Sequence, residues 1–430
     1  MINLKQCGPR LSELDLESID GEMRKASQTI ENRDGAGNDF LGWLDYASRL
    51  SESELDDIVE TAQRLRADYD TLVCVGIGGS YLGGRAVIEA VNGLFPKDDF
   101  KIVYLGDTLS APYTTQVLDW LSTRNFCVDV ISKSGTTTEP AVAFRLLKEQ
   151  IVSRWGKEEL KDRIVATTDR AKGALKSEAD AEGYKSFVIP DDIGGRFSVI
   201  TPVGLLPLAC ANIDIKAFIR GVADGERDYG DPDWHNNLAY KYGATRYILE
   251  TREHYASEMF VTYEPQDQMI GEWLKQLFGE SLGKDGKGLL PTSGVFTTDL
   301  HSMGQYIQQG TNCLFETVIK EVEIPESQDV VLKEDEANLD NLNYLAGKKL
   351  SYINQKAFEA VLKAHTDGQI DANVLELPRM DAYNLGNLFY FFFRAVAFCG
   401  YLLGVNPFDQ PGVELYKHNM FVLLGKPGVK

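Results

Sequence analysis

The chain has 430 residues, 43% hydrophobic and 25% charged, which excludes disordered and fibrous classes and is long enough for two or three cores. Lys and Arg total 44 against 64 Asp and Glu, a net charge of -20, so nucleic acid is disfavoured as the main partner. A single phosphate ester is not excluded, because a few backbone N–H groups and one or two cations can hold it inside an acidic protein.

The opening Met1-Ile2-Asn3-Leu4-Lys5-Gln6 has no basic region followed by an apolar stretch, and this absence makes the cytoplasm the expected location. The cysteines (Cys7, Cys74, Cys127, Cys210, Cys313, Cys399) are far apart, mostly in apolar runs, and read as reduced thiols. From about residue 71, short β-rich runs alternate with amphipathic ones, the pattern of βαβ units and a parallel sheet. Leu72 to Val75 reads as a buried strand, Gly76 to Gly79 as its turn and Ser80 to Leu94 as a helix. Strands are expected at Ile102 to Leu105 and Phe126 to Ile131, then a helix opened by Glu139-Pro140, then strands at Ile164 to Thr167 and Phe187 to Ile189.

A second αβ region begins near Ile213, with helical patterns through 215 to 250, a strand at about Glu258 to Tyr263 and a helix at about Asp267 to Phe278. Strands near Leu314 to Ile319 and Val374 to Leu377 complete it. The acidic stretch Glu321 to Asp340 reads as a solvated excursion. Leu388 to Val405 is the most hydrophobic run, but it contains Arg394 and Gly400, so a core helix is expected rather than a membrane span. Two αβ blocks of similar size suggest two sandwiches facing each other across a cleft.

Two loops carry the chemical signal. Val75-Gly-Ile-Gly-Gly-Ser-Tyr-Leu-Gly-Gly84 follows a strand and opens a helix, the geometry that offers free backbone N–H groups to an anion. A dinucleotide fingerprint counted from Gly76 would need Gly where Tyr81 stands, which leaves a nicotinamide enzyme as a weak alternative. Ser132-Lys-Ser-Gly-Thr-Thr-Thr-Glu-Pro140 again joins a strand to a helix, with five hydroxyls. Alone it could be a helix-capping cluster; paired with the first loop on one sheet edge, it favours phosphate.

Together these loops resemble the sugar isomerase domain, and four further motifs resemble the phosphoglucose isomerase family. Asp192-Ile-Gly-Gly-Arg-Phe-Ser-Val-Ile-Thr-Pro-Val-Gly204 and Phe408-Asp-Gln-Pro-Gly-Val-Glu-Leu-Tyr-Lys417 are similar to its two signatures. Gln276-Leu-Phe-Gly-Glu-Ser-Leu-Gly-Lys284 and Thr298-Asp-Leu-His-Ser-Met-Gly-Gln305 are similar to the segments carrying its catalytic Glu and His. Leu282 stands where the family often has Asn, and Ser134-Gly135-Thr136 replaces a bulkier variant of the phosphate loop.

The resemblance implies an α/β fold of two parallel-sheet αβα sandwiches with a C-terminal helical extension. Its expected divisions are an arm at 1–47 packing on the second domain, a phosphate-binding domain at 48–205, a second domain at 206–404, and a C-terminal helix at 405–430 returning to the site. The implied activity is reversible isomerisation of glucose 6-phosphate and fructose 6-phosphate through a cis-enediol, in glycolysis and gluconeogenesis, without metal or organic cofactor. Glu280 is implied as the base, Arg196 as the stabiliser of the enediolate, and His301 and Lys417 as the pair that opens the sugar ring. Gly79, Ser80, Ser132, Ser134, Thr137 and Gln276 are implied substrate and phosphate contacts.

A homodimer with shared sites is also implied, since the family's His reaches in from a neighbouring subunit. No membrane partner is expected. The histidines (His235, His254, His301, His365, His418) form no ligand spacing, so a metal-dependent cupin-type isomerase is disfavoured. Rival readings are a non-catalytic sugar-phosphate sensor and an isomerase of broader range that also accepts mannose 6-phosphate.

Overall fold

Thr71–Val75 (β2) is a run of Thr, Leu, Val and Cys buried along its whole length, and it lies at the heart of the first sheet. A strand with both faces covered has no solvent side on which to alternate, so it reads as a continuous apolar run. The computed structural model describes residues 2–429. In it β2 pairs in parallel with Lys101–Leu105 (β3) on one side and Phe126–Ile131 (β4) on the other, and Ile164–Thr168 (β5) and Lys185–Val188 (β6) follow outward in the order β3-β2-β4-β5-β6. The strand order reverses between β2 and β4, which opens a crevice at their carboxyl ends.

The second sheet has the order β1-β10-β9-β7-β8, with Ser257–Thr262 (β7) flanked in parallel by Leu290–Val295 (β8) and Leu314–Glu321 (β9), and Ala372–Leu377 (β10) beyond. Two of its strands depart from the sequence pattern. Asn3–Cys7 (β1) adds an antiparallel edge to β10, so the N-terminal arm is stitched directly into this sheet. Leu290–Val295 contains Pro291 and Gly294 and is not among the strands expected from the sequence; as an edge strand it tolerates a residue without an N–H.

The acidic excursion is mostly exposed, with a short 3₁₀ turn at Glu326–Gln328 and one bridge from Val331 to Lys349; another 3₁₀ turn, Asn343–Leu345, follows just beyond it. The hydrophobic run 388–405 lies largely within the helix Ala382–Leu403, which is long and apolar enough to cross a membrane yet is buried in the protein over 89% of its most apolar window. It packs on the helices Ile215–Asp228, Leu238–Thr251 and Gln268–Leu282. One core cluster runs through this layer from both halves, joining Leu72 and Val87 to Phe260 and Leu375. Trp43 from the N-terminal arm stacks on Phe197 at 5.4 Å between ring centres and meets Phe393 edge-on. The apolar layer thereby fixes Phe197, and with it the residue before it, Arg196.

Candidate active site

Both hydroxyl- and glycine-rich loops open on the first sheet's crevice, one after β2 and the other after β4. The first forms a 3₁₀ turn over Gly78–Ser80 before the helix Leu82–Asn92, so the helix begins two residues later than the pattern suggested. Gly78 has φ 58, and a side chain there would also meet Gln276 Nε2 at 2.8 Å. Gly79 lies against the Gly195 carbonyl, with room for no Cβ. No hydrogen bond within the described residues engages the Ser80 hydroxyl.

In the second loop, Ser132 Oγ accepts from Gly135 N at 3.0 Å and Ser134 Oγ accepts from Thr136 N at 3.1 Å. Thr137 occupies the cap position of the helix Thr138–Trp155, but its side chain forms no capping bond. That hydroxyl is therefore not spent on capping the helix.

Opposite these loops stands the helix Gln268–Leu282, one turn longer than its sequence pattern suggested. Gln276 and Glu280 are four residues apart on one face, and Gln276 Nε2 donates to Glu280 Oε1 at 3.2 Å. Arg196 Nη1 approaches the other carboxylate oxygen, Oε2, at 3.2 Å. The Glu280 side chain is 34% exposed whereas that of Arg196 is 2% exposed, so the acid faces the cleft and the cation backs it.

Every polar hydrogen of the guanidinium region is directed. Nε donates to Ser281 Oγ at 2.8 Å, Nη1 also to Gln410 Oε1 at 3.0 Å, and Nη2 to the carbonyls of Pro407 at 2.7 Å and Asp409 at 3.3 Å. Trp273 Nε1 donates to the Arg196 carbonyl at 3.2 Å. Burial lowers the guanidinium's pKa from its usual value, with Glu280 and Asp409 opposing that shift; so basic a group stays charged at neutral pH. Ser281 and Gln410 were not singled out from the sequence. They sat inside the quoted motifs, but only folding shows that they converge on Arg196.

The structure thus brings Glu280, Arg196, Gln276 and Gly79 together. It places His301 and Lys417 elsewhere in their own contacts. His301 is exposed in the turn Thr298–His301 beyond β8, with no side-chain hydrogen bond among the described residues. Lys417 is in the exposed helix Glu414–Leu423 and pairs with Glu414 at 2.8 Å. The chain that returns to Arg196 is the segment 407–410, just ahead of that helix.

A buried cation beside a partly exposed carboxylate, set where the glycine-rich loop after β2 meets the helix of the second half, is an arrangement suited to an enzyme that moves protons on an anionic substrate. The sequence profile of the family described as Phosphoglucose isomerase matches residues 64–424. A glucose-6-phosphate isomerase of Lactobacillus helveticus is 51% identical over 424 residues, covering 98% of this chain and 94% of that one. One from Staphylococcus epidermidis is 51% identical over 426 residues, covering 98% and 96%. The crystal structure of a hypothetical protein from Thermus thermophilus superposes with a TM-score of 0.88 at 29% identity, over 98% of this chain and all of that one. That of a glucose-6-phosphate isomerase from Chlamydia trachomatis shares the fold, with a TM-score of 0.84 at 22% identity over 99% and 88% of the two chains. The chain belongs to the phosphoglucose isomerase family.

Proposed function

We propose that Glu280, Arg196, His301 and Lys417 divide between them the work of the reaction this chain catalyses, the reversible interconversion of glucose 6-phosphate and fructose 6-phosphate. The observation that carries the assignment is the Glu280–Arg196 contact, with the carboxylate open to the cleft and the guanidinium buried behind it. Glu280 takes the proton from C2 of the open-chain aldose, and the electron pair left behind moves to the carbonyl oxygen to give an enediolate. Arg196 stabilises that charge from a position already fixed by its other hydrogen bonds, so little reorganisation is needed as the charge develops. Transfer of the O2 hydroxyl proton to O1 and return of the carbon-bound proton to C1 give the ketose, with no net oxidation and no cofactor.

The phosphate is held by Ser80, Ser132, Ser134 and Thr137 with the backbone at Gly79, and Gln276 orients Glu280 and contacts the sugar. In this division residues 48–205 hold the phosphate and 206–404 supply the base, with the arm 1–47 and the segment 405–430 completing the site.

His301 and Lys417 open the sugar ring as donor and acceptor. The absence of any hydrogen bond to His301 within the described residues supports a role in a neighbouring subunit's site. The last helix supports a homodimer: it buries none of its residues in its own chain and leaves Leu415, Tyr416 and Leu423 exposed, with exposed Leu424 just beyond its end. The six unpaired cysteines agree with a cytoplasmic location.

Glu280→Gln keeps the shape and the hydrogen bond from Gln276 but removes the base, so kcat should fall by about 10²- to 10⁴-fold with KM little changed. Near-normal turnover would refute the role. Fructose 6-phosphate turnover in a coupled assay is expected to survive EDTA, and loss on chelation would overturn the cofactor-free route.

A further inference from the structure

We infer that Lys284 is a positioning residue for the isomerisation step, tying the segment that holds Arg196 to the helix that carries Glu280. Lys284 follows Gly283 at the end of Gln268–Leu282, and its side chain is only 9% exposed. Its ammonium donates to the Asn406 carbonyl and lies 2.8 Å from Asp409 Oδ1. Those residues border the stretch whose Pro407 and Asp409 carbonyls and Gln410 side chain accept from Arg196. Two cations with little-exposed side chains therefore hold one irregular segment, Arg196 from the first signature and Lys284 from just beyond the helix of the base.

Apolar contacts hold only part of this segment. Pro407 lies against Gly400 and Phe408 is buried beside Phe197, their ring centres 5.5 Å apart, while Asp409 and Gln410 are exposed. The polar half has no regular backbone ladder to fix it and depends on the two cations. Without Lys284, Asp409 and Gln410 are free to drift, and Arg196 loses the acceptors that aim it at the reacting atoms. A displacement of about 1 Å at such a centre costs up to about 10²-fold in rate. The phosphate contacts lie on the opposite loops and should hold the substrate as before. The signature of the role is thus a fall in kcat with KM preserved.

This inference rests on the roles proposed for Glu280 and Arg196, and the experiment separates the two. Lys284→Met fills the slot with an apolar stem of similar length and should lower kcat by roughly 10- to 100-fold with KM nearly constant. Asp409→Ala should reproduce the fall without touching the helix, so the inference stays testable if Lys284→Met folds poorly. Asp409→Asn, which keeps an acceptor for the ammonium, should recover much of the rate. The double variant Lys284→Met/Asp409→Ala should be little worse than either single one, because both remove the same tie. Wild-type kcat in Lys284→Met or Asp409→Ala, a loss confined to KM, or fully additive losses would overturn the inference. If Glu280→Gln is inactive in the same assay, such a failure leaves the role of the base intact; an active Glu280→Gln would remove the base assignment itself.

Discussion

Gly79→Ala adds a single methyl group where the phosphate loop meets the backbone carrying Arg196. The new carbon would stand 2.1 Å from the Gly195 carbonyl oxygen, 2.2 Å from its carbon and 2.7 Å from Arg196 N. Ordinary contact requires 3.4 Å or more, so the two segments must part by roughly 1 Å. Backbone rather than a flexible side chain blocks the space, and neither Gly79 nor Gly195 has a positive φ. The penalty is therefore steric, not conformational. Overpacking of this kind costs about 1–3 kcal/mol in stability, and the loop and Arg196 would no longer address the same substrate, lowering kcat/KM by about 10²-fold. Denaturant unfolding and steady-state kinetics of Gly79→Ala and Gly195→Ala test the argument as a pair. Gly195→Ala places its methyl where nothing lies within 4 Å, so its stability should stay within about 0.5 kcal/mol of wild type. Unchanged stability and turnover in Gly79→Ala, or equal destabilisation by both variants, would refute the reasoning.

Asp129 on β4 is buried in the first half, with Thr167 Oγ1 donating to Oδ1 at 2.9 Å and Oδ2 left without a partner. Burial raises its pKa to about 7. The folded chain therefore keeps this proton while the unfolded chain releases it near pH 4, so the group lowers stability progressively as pH rises from about 4 to about 7, with the full penalty, at most about 4 kcal/mol, above that. Asp129→Asn should accordingly stabilise the protein at about pH 8 and lose most of that gain near pH 4 to 5; a gain independent of pH would show that ionisation is not the cause. Shared sites predict that inactive Glu280→Gln and His301→Ala proteins, mixed and allowed to exchange subunits, recover roughly a quarter of wild-type activity, because half the dimers are hybrids and each has one intact site. No recovery despite demonstrated exchange would place His301 and Glu280 of the same chain in one site.

Local chemistry made most of the first half readable. The strand over 72–75 needed only its continuous apolar run, and the loops after β2 and β4 needed only their Gly, Ser and Thr content beside helix starts. The helix of Glu280 was recognised but ended early in the pattern, since Gly279, Ser281 and Gly283 are weak helix formers; packing of Ser281 and Leu282 inside the protein carries it to Leu282. Edge strands β1 and β8 stayed hidden because Asn3–Cys7 and Leu290–Val295 lack the apolar alternation of a half-buried strand, and only a partner strand makes them regular.

The sequence alone determined which residue types were available for anion binding and proton transfer, because motifs such as Asp192 to Gly204 and Phe408 to Lys417 are contiguous and their chemistry is local. Tertiary structure decided which of them meet. Arg196 and Glu280 lie 84 positions apart and Arg196 and Gln410 lie 214 apart, and no periodicity reports a contact across such distances. That meeting depends on the aromatic layer around Phe197, on the close approach of Gly79 to Gly195, and on the segment 406–410 being held by Arg196 and Lys284, all consequences of packing rather than of local propensity.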